Sequence, residues 1–358
     1  MICCTECFRD YEIKSIIETI GHIGVCPICN SKDVYLFDSD LHENDTAFEE
    51  LLESIIEIYR TEDELDEEFP EEGKQCIEKH LSEDWNIFNV NEQGIRIIAE
   101  YIISNSINLD DGLLVEKVGV SQAYDEGYLS TNSIMGKYEW DDFKNYLRNQ
   151  NRFHSKYINL VELKRILKDT ESILTKDLKF YRARITDENG FKGKDMGAPP
   201  SDKATAGRVN SKGISCLYLA SKKETAVKEI RASVYDRVTI ATFKTKQNIK
   251  VLDLSALTRR SPFYAVTDKV HFLINHKHLN DIAADISKPL ARSDSDLDYL
   301  PTQYISDYAK YLGYDGVKYN STFDNDTYNV AIFDGALCEC VYTKKYLIDN
   351  AEYILSSF

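Results

Sequence analysis

Two Cys-x2-Cys pairs, Cys4/Cys7 and Cys26/Cys29, restrict what the first 37 residues can fold into more than anything else in the chain. A tight knuckle supplies two thiolates at two corners of a tetrahedron, and a second knuckle completes it. This is the usual way a structural Zn2+ replaces a hydrophobic core too small to stand alone. The expectation is a zinc ribbon over residues 1–37, with short-strand material such as Thr19-Ile20-Gly21-His22 between the pairs. Cys3 or His22 as a substitute ligand, and free thiols in a reduced chain, are the alternatives. With four protein ligands no coordination position stays open for catalysis.

The whole chain has 358 residues, enough for two or three domains. Its 43% hydrophobic and 29% charged residues suit a soluble globular protein. Apolar runs such as Ile95 to Ile103 are broken by Arg96 and Glu100, and the start Met1-Ile2-Cys3-Cys4 lacks a basic region, so neither a spanning helix nor a signal peptide is expected. That points to a reducing cytoplasm and no membrane partner.

The net charge of −17 is local. Asp38 to His80 carries 17 acids against 3 bases, whereas residues 171–358 carry 24 acids against 27 bases. That balance argues against nucleic acid as a partner, except through the small zinc module. The acidic run Glu62 to Glu72 reads as a solvated link between helices, with a docking surface for a basic partner as the alternative.

Phe48, Leu51, Leu52, Ile55, Ile56 and Tyr59 recur at helical spacing, as do residues in Gly94 to Ser104, Tyr138 to Leu147 and Leu160 to Leu167. Residues 38–170 are therefore expected to form a mostly helical regulatory or interaction domain. Within it, Arg148-Asn149-x4-His154 resembles the motif of HEPN ribonucleases, although Arg and His are also common at helix ends. His271, His276 and His278 have no carboxylate or cysteine at ligand spacing and read as loop and surface histidines.

After Phe180 the texture changes to short strands: Phe180 to Ile185, Cys216 to Ala220, Val238 to Phe243, Ile249 to Leu254, Gly316 to Tyr319 and Asn329 to Phe333. Helices are expected at Glu224 to Ser233 and Thr302 to Leu312. Together they predict an α+β domain over 171–358, with neither G-x-G-x-x-G nor a P-loop. The stretch Tyr181 to Arg231 gathers fixed cations (Arg182, Arg184, Arg208), Tyr218 and Glu229 in one segment. Such residues can grip an anionic aromatic ligand and stabilise a developing positive charge.

The ordered series Tyr181-Arg182, Gly207-Arg208-Val209-Asn210, Tyr218, Ala226 with Glu229, Tyr319-Asn320-Ser321 and Asn329-Val330-Ala331-Ile332-Phe333 resembles the RES domain of Xre-RES toxin-antitoxin modules. Val209 stands where the family often has Trp. A long zinc-and-helical region precedes the domain, similar to regions found ahead of RES and HEPN domains in phage-defence proteins. The resemblance implies an ADP-ribosyltransferase-like fold that takes NAD+ and breaks its nicotinamide–ribose bond, with water or inorganic phosphate as acceptor, acting as a toxin or anti-phage effector. It implies Glu229, Arg182 and Ser321 as catalytic residues, with Glu224 as the rival acid. Arg182, Arg184, Arg208, Tyr218, Ser321 and Asn329 become the NAD+-binding residues. The expected partners are an antitoxin or phage-derived activator, together with a second copy of the chain in a homo-oligomer. Rival readings are transfer of ADP-ribose to a macromolecule, an inactive NAD+-binding scaffold, and a HEPN-like ribonuclease. The extension Lys192 to Pro200 reads as a lid.

Overall fold

The computed structural model describes residues 1–41, 46–264, 268–288, 295–322 and 327–350. Strands β1 (Ile2–Cys4), β2 (His22–Gly24) and β3 (Val34–Asp38) form a small antiparallel sheet in the order β1-β3-β2. Between the cysteine pairs the chain forms mainly a helix, α1 (Tyr11–Ile20), where short strands were expected. The Asp10 side chain accepts from the Glu12 and Ile13 amides, and Ile13 and Ile17, one turn apart, are fully buried. Cap and spacing outweigh the strand preference of the isoleucines.

Helices α2 (Ala47–Ile56), α3 (Ile77–Trp85), α4 (Glu92–Asn105) and α5 (Glu126–Asn132) follow, with a two-residue ladder between β4 (Arg60–Thr61) and β5 (Val118–Gly119). Phe48, Leu52, Ile55 and Ile56 are the buried face of α2, as their spacing predicts. The acidic run is pinned by buried Leu65 and Phe69 while its carboxylates stay exposed.

Next come α6 (Trp140–Asn149), α7 (Leu160–Lys168), β6 (Glu171–Leu174), β7 (Lys179–Ile185), β8 (Leu217–Ala220), α8 (Lys223–Glu229), β9 (Arg237–Thr245) and β10 (Ile249–Asp253). The chain continues through α9 (Lys269–Ser287), α10 (Leu300–Tyr311), β11 (Gly316–Asn320), β12 (Tyr328–Ile332) and β13 (Cys338–Leu347). Eight strands join in the order β13-β9-β7-β8-β12-β11-β10-β6, antiparallel except for the β10/β11 pair. Phe180, Leu217, Leu219, Phe243, Val251, Val330 and Ile332 build one core of this sheet. The architecture is α+β, as expected. Among the described residues no helix is long and apolar enough to cross a membrane.

Contacts divide the chain into two compact units, Met1–Lys137 with Arg259–His278, and Tyr138–Thr258 with Leu279–Phe358. The histidines require a correction: His271, His276 and His278 lie on α9, and the last two are buried rather than on a loop surface. Buried residues fall on most sides of this helix between Phe272 and Leu279, so it lacks the two-tone pattern by which a surface helix is read. The helix expected to reach Ser233 ends at Glu229, and Arg231 beyond it takes φ 52°, outside helical space.

Candidate functional site

In the first unit, the Sγ atoms of Cys4, Cys7, Cys26 and Cys29 all lie within 4.8 Å of one another. Neighbouring pairs are 3.4 to 3.7 Å apart. A tetrahedron of sulfurs about 2.3 Å from a central Zn2+ has edges of about 3.8 Å, so the set fits such an ion. The second knuckle is closed by Asn30, which takes φ 61° and donates its amide to the Cys26 carbonyl at 2.9 Å. Burial pushes the Cys4 thiol up to about 12, a cost that a divalent cation reverses by drawing out the thiolate. Cys3 is buried in the neighbouring core and His22 is exposed; neither belongs to the cluster.

In the second unit, strand register sets out a pocket. Tyr181, Ala220, Asn329 and Tyr319 stand opposite one another on β7, β8, β12 and β11, and so share one face of the sheet. Two residues along β8 from Ala220, Tyr218 faces the same way. Helix α8 brings Ala226 and Glu229, one turn apart, to the same pocket. Ala183, Ala220 and Ala226 are buried together, and their small side chains let the helix approach the sheet closely. The cavity measures about 290 Å3 and is lined also by Arg182, Arg208, Ile230 and Tyr299.

Glu229 is held from two sides. Its Oε1 accepts from Asn329 Nδ2 at 2.6 Å and, at a long 3.5 Å, from the Ser321 hydroxyl. Its Oε2 faces Arg208 Nη2 at 3.3 Å. The Arg208 side chain is only 8% exposed, against 24% for Glu229. Arg208 Nη1 donates to the Ser287 carbonyl at the end of α9 at 3.0 Å, and the guanidinium carbon sits 5.6 Å from the Tyr319 ring centre. Burial opposes the charge on Arg208, but Tyr319, Glu229 and Tyr299 outweigh it and hold its pKa above the ordinary value.

The loop carrying Arg208 is clamped through its backbone. Gln303 Nε2 donates to the Gly207 carbonyl at 2.8 Å and to the Asn210 carbonyl at 3.0 Å, and Thr302 Oγ1 donates to the Arg208 carbonyl at 2.6 Å. From the sheet, the Tyr218 hydroxyl donates to Asn210 Oδ1 at 2.6 Å and accepts from the Val209 amide at 3.2 Å. Gly207 is required here, because a Cβ would lie 2.5 Å from that hydroxyl.

Arg182 behaves differently. Its Nη1 is buried without a hydrogen-bond partner among the described residues. Burial, reinforced by the charge of Arg184, lowers its pKa.

Of the residues singled out from sequence, Glu229, Arg182, Arg208, Tyr218 and Asn329 meet at this pocket, and Ser321 reaches it through Glu229. Arg184 does not: it is exposed, donates to the Asp195 carbonyl at 2.7 Å and stacks on Phe191 at 4.3 Å. Alternation puts Arg182 and Arg184 on the same face, but the nearby 190s loop engages only the second. In that loop, expected as a lid, Met196 is fully buried in the sheet core, Ser215 Oγ donates to the Pro199 carbonyl, and none of residues 192–200 lines the pocket. Glu224, the rival acid, is exposed and outside the pocket. Arg148 pairs with Asp298, and His154 is exposed with its backbone carbonyl accepting from Tyr146. Sequence reasoning missed Tyr299, Tyr319, Thr302 and Gln303 as site residues. Tyr319 adjoins Ser321 in the motif already recognised, whereas the other three carry no signal beyond a helix start.

A carboxylate, two guanidiniums and the side chains of Tyr181, Tyr218, Tyr299 and Tyr319 thus line one cavity of the α+β domain. Residues 179–354 match the family model described as RES domain, so the chain carries a C-terminal RES domain, as its motif series implied. No curated protein matches the chain. Among solved structures, a chain of the M. tuberculosis MbcT–MbcA toxin–antitoxin complex is similar at 13% identity and a TM-score of 0.32. The match covers 52% of this chain and 92% of that one.

Proposed function

We propose that the RES domain consumes NAD+ by breaking its nicotinamide–ribose bond. The observation that carries this reading is Glu229, a carboxylate held between Arg208 and Asn329 in the pocket of a RES domain. In the proposed reaction the C1″–N bond breaks and its electron pair leaves with neutral nicotinamide. The ribose carbon, left oxocarbenium-like, is stabilised by the Glu229 carboxylate. An oxygen of water or phosphate then bonds to that carbon and a proton is released. At about 290 Å3 the cavity is at the small end of ligand pockets, of the size for the nicotinamide riboside end. Tyr218 and Tyr319 offer aromatic surface to that end, and Ser321 steadies Glu229.

Four cysteines holding Zn2+ would serve the N-terminal region structurally, with residues 38–170 as a regulatory part and 171–358 as the catalytic part. A toxin or defence effector restrained by an antitoxin partner is the biological role this chemistry fits. The test is nicotinamide release from NAD+ by purified, zinc-loaded protein, with and without phosphate. Glu229→Gln is expected to lower turnover about 10²-fold or more. Absence of turnover by the folded wild type sinks the reading. ADP-ribose 1″-phosphate among the products selects phosphorolysis over hydrolysis, and label fixed on protein or nucleic acid selects the transferase.

A further inference from the structure

The two arginines of the pocket have different surroundings, and we propose that they have different tasks: Arg208 positions Glu229, while Arg182 is the ligand for a phosphate-type oxyanion. The assignment rests on the NAD+ reading above and separates two arginines that the family resemblance groups together as NAD+-binding.

Both terminal nitrogens of Arg208 are already engaged. One terminal nitrogen faces Glu229 Oε2 at 3.3 Å and the other donates to the Ser287 carbonyl at 3.0 Å. Its backbone is fixed by Thr302 and Gln303, both buried. A guanidinium in that setting cannot turn to an incoming anion without releasing both the carboxylate and the end of α9. Arg182 is the converse. It lines the same cavity, its buried Nη1 lacks a partner among the described residues, and Arg184 adds a second positive charge nearby. Among the described residues the Arg182 guanidinium as a whole has no hydrogen-bond acceptor, and an oxyanion in the cavity supplies one with charge as well. That anion has two sources, the pyrophosphate of the dinucleotide or free phosphate.

The experiment measures binding of inorganic phosphate and of ADP-ribose by calorimetry, beside NAD+ turnover, for wild type, Arg182→Gln and Arg208→Gln. Arg182→Gln is expected to weaken binding of one or both anions on the order of tenfold, with a matching rise in KM. Loss toward ADP-ribose alone identifies the pyrophosphate, and loss toward phosphate alone identifies the free ion. Arg208→Gln is expected to keep anion affinity within about threefold of wild type while kcat falls on the order of 10²-fold. Arg208→Lys, which keeps a cation beside Glu229, should recover part of kcat, and it replaces the Gln variant if thermal melting shows the latter unfolded. The proposal is overturned if Arg208→Gln loses anion affinity as Arg182→Gln does, if Arg182→Gln binds both anions like wild type, or if wild type binds neither. Should wild type bind an anion yet release no nicotinamide, the NAD+ reading falls, and the binding comparison still decides between the arginines.

Discussion

Asn329 donates to the Glu229 carboxylate at 2.6 Å from a strand one hundred residues further along the chain. Asn329 is 4% exposed and stands opposite both Ala220 and Tyr319 in the sheet, so burial among its neighbours limits the room its amide has to turn. Replacing it with Asp puts a second carboxylate against Glu229. Asn329→Asp is therefore expected to lower NAD+ turnover about tenfold or more, with Asn329→Ala intermediate in effect on folding. Steady-state nicotinamide release together with a thermal melt checks this, and an Asn329→Asp enzyme as active as wild type contradicts the role given to the pair.

Tyr218 secures the Arg208 loop by one hydroxyl with two hydrogen bonds. Tyr218→Phe leaves Asn210 Oδ1 and the Val209 backbone N–H short of a partner, at a cost of about 1–3 kcal/mol. Denaturant unfolding of the variant should show a lower midpoint at unchanged slope. A midpoint equal to wild type means the loop is held by Gln303 and Thr302 alone.

Gly207→Ala tests the same loop from the other side. The added Cβ would come within 2.5 Å of the Tyr218 hydroxyl and 2.8 Å of Asn210 Oδ1, so one of those groups must move. Destabilisation of about 1–3 kcal/mol is expected. The double variant Gly207→Ala/Tyr218→Phe should lose less than the sum of the two single changes, because the phenylalanine removes the obstructing oxygen.

One zinc per chain is expected by elemental analysis, falling to near zero in Cys26→Ser. Chelation should lower the melting temperature of the wild type and leave that of the serine variant unchanged. A wild-type protein that is purified metal-free and melts identically with and without added zinc refutes a structural ion at these cysteines.

His80 makes stability depend on pH. Its Nδ1 lies 2.8 Å from Asp84 Oδ2 and its Nε2 lies 2.9 Å from the Val118 carbonyl, so both ring nitrogens face acceptors and the protonated ring satisfies both. Burial disfavours the cation, but the hydrogen bond and charge of Asp84 and the Val118 carbonyl outweigh it, and the pKa is raised. Because the folded value lies above the unfolded one of about 6.5, the stabilisation is fully present below that pH and is lost as pH rises through the folded value. The stability gap between wild type and His80→Gln should therefore narrow from pH 6 to pH 8. A gap constant across that range removes His80 from the account.

Much of this protein is legible in its residues. Four cysteines at knuckle spacing suffice to announce a metal-sized cluster, because a short loop brings each pair together whatever the rest of the chain does. Phe48 to Ile56 announce a buried helix face, and the strands around Arg182, Tyr218 and Asn329 carry the texture of a sheet. The motif series also names Glu229 and Arg208. Helix α9 was not legible, since burial on most sides erases the periodicity that marks a helix. Nor were the fates of Arg182 and Arg184: alternation makes them equivalent, and only packing leaves one guanidinium in the cavity and turns the other onto Asp195 and Phe191. Tyr299, Thr302 and Gln303 reach the site from a helix start that looks ordinary in one dimension. Local spacing determines knuckles, helix faces and strands because those depend on near neighbours. Which cation holds the carboxylate and which one stands open depends on contacts up to a hundred residues apart, and those exist only once the sheet has closed.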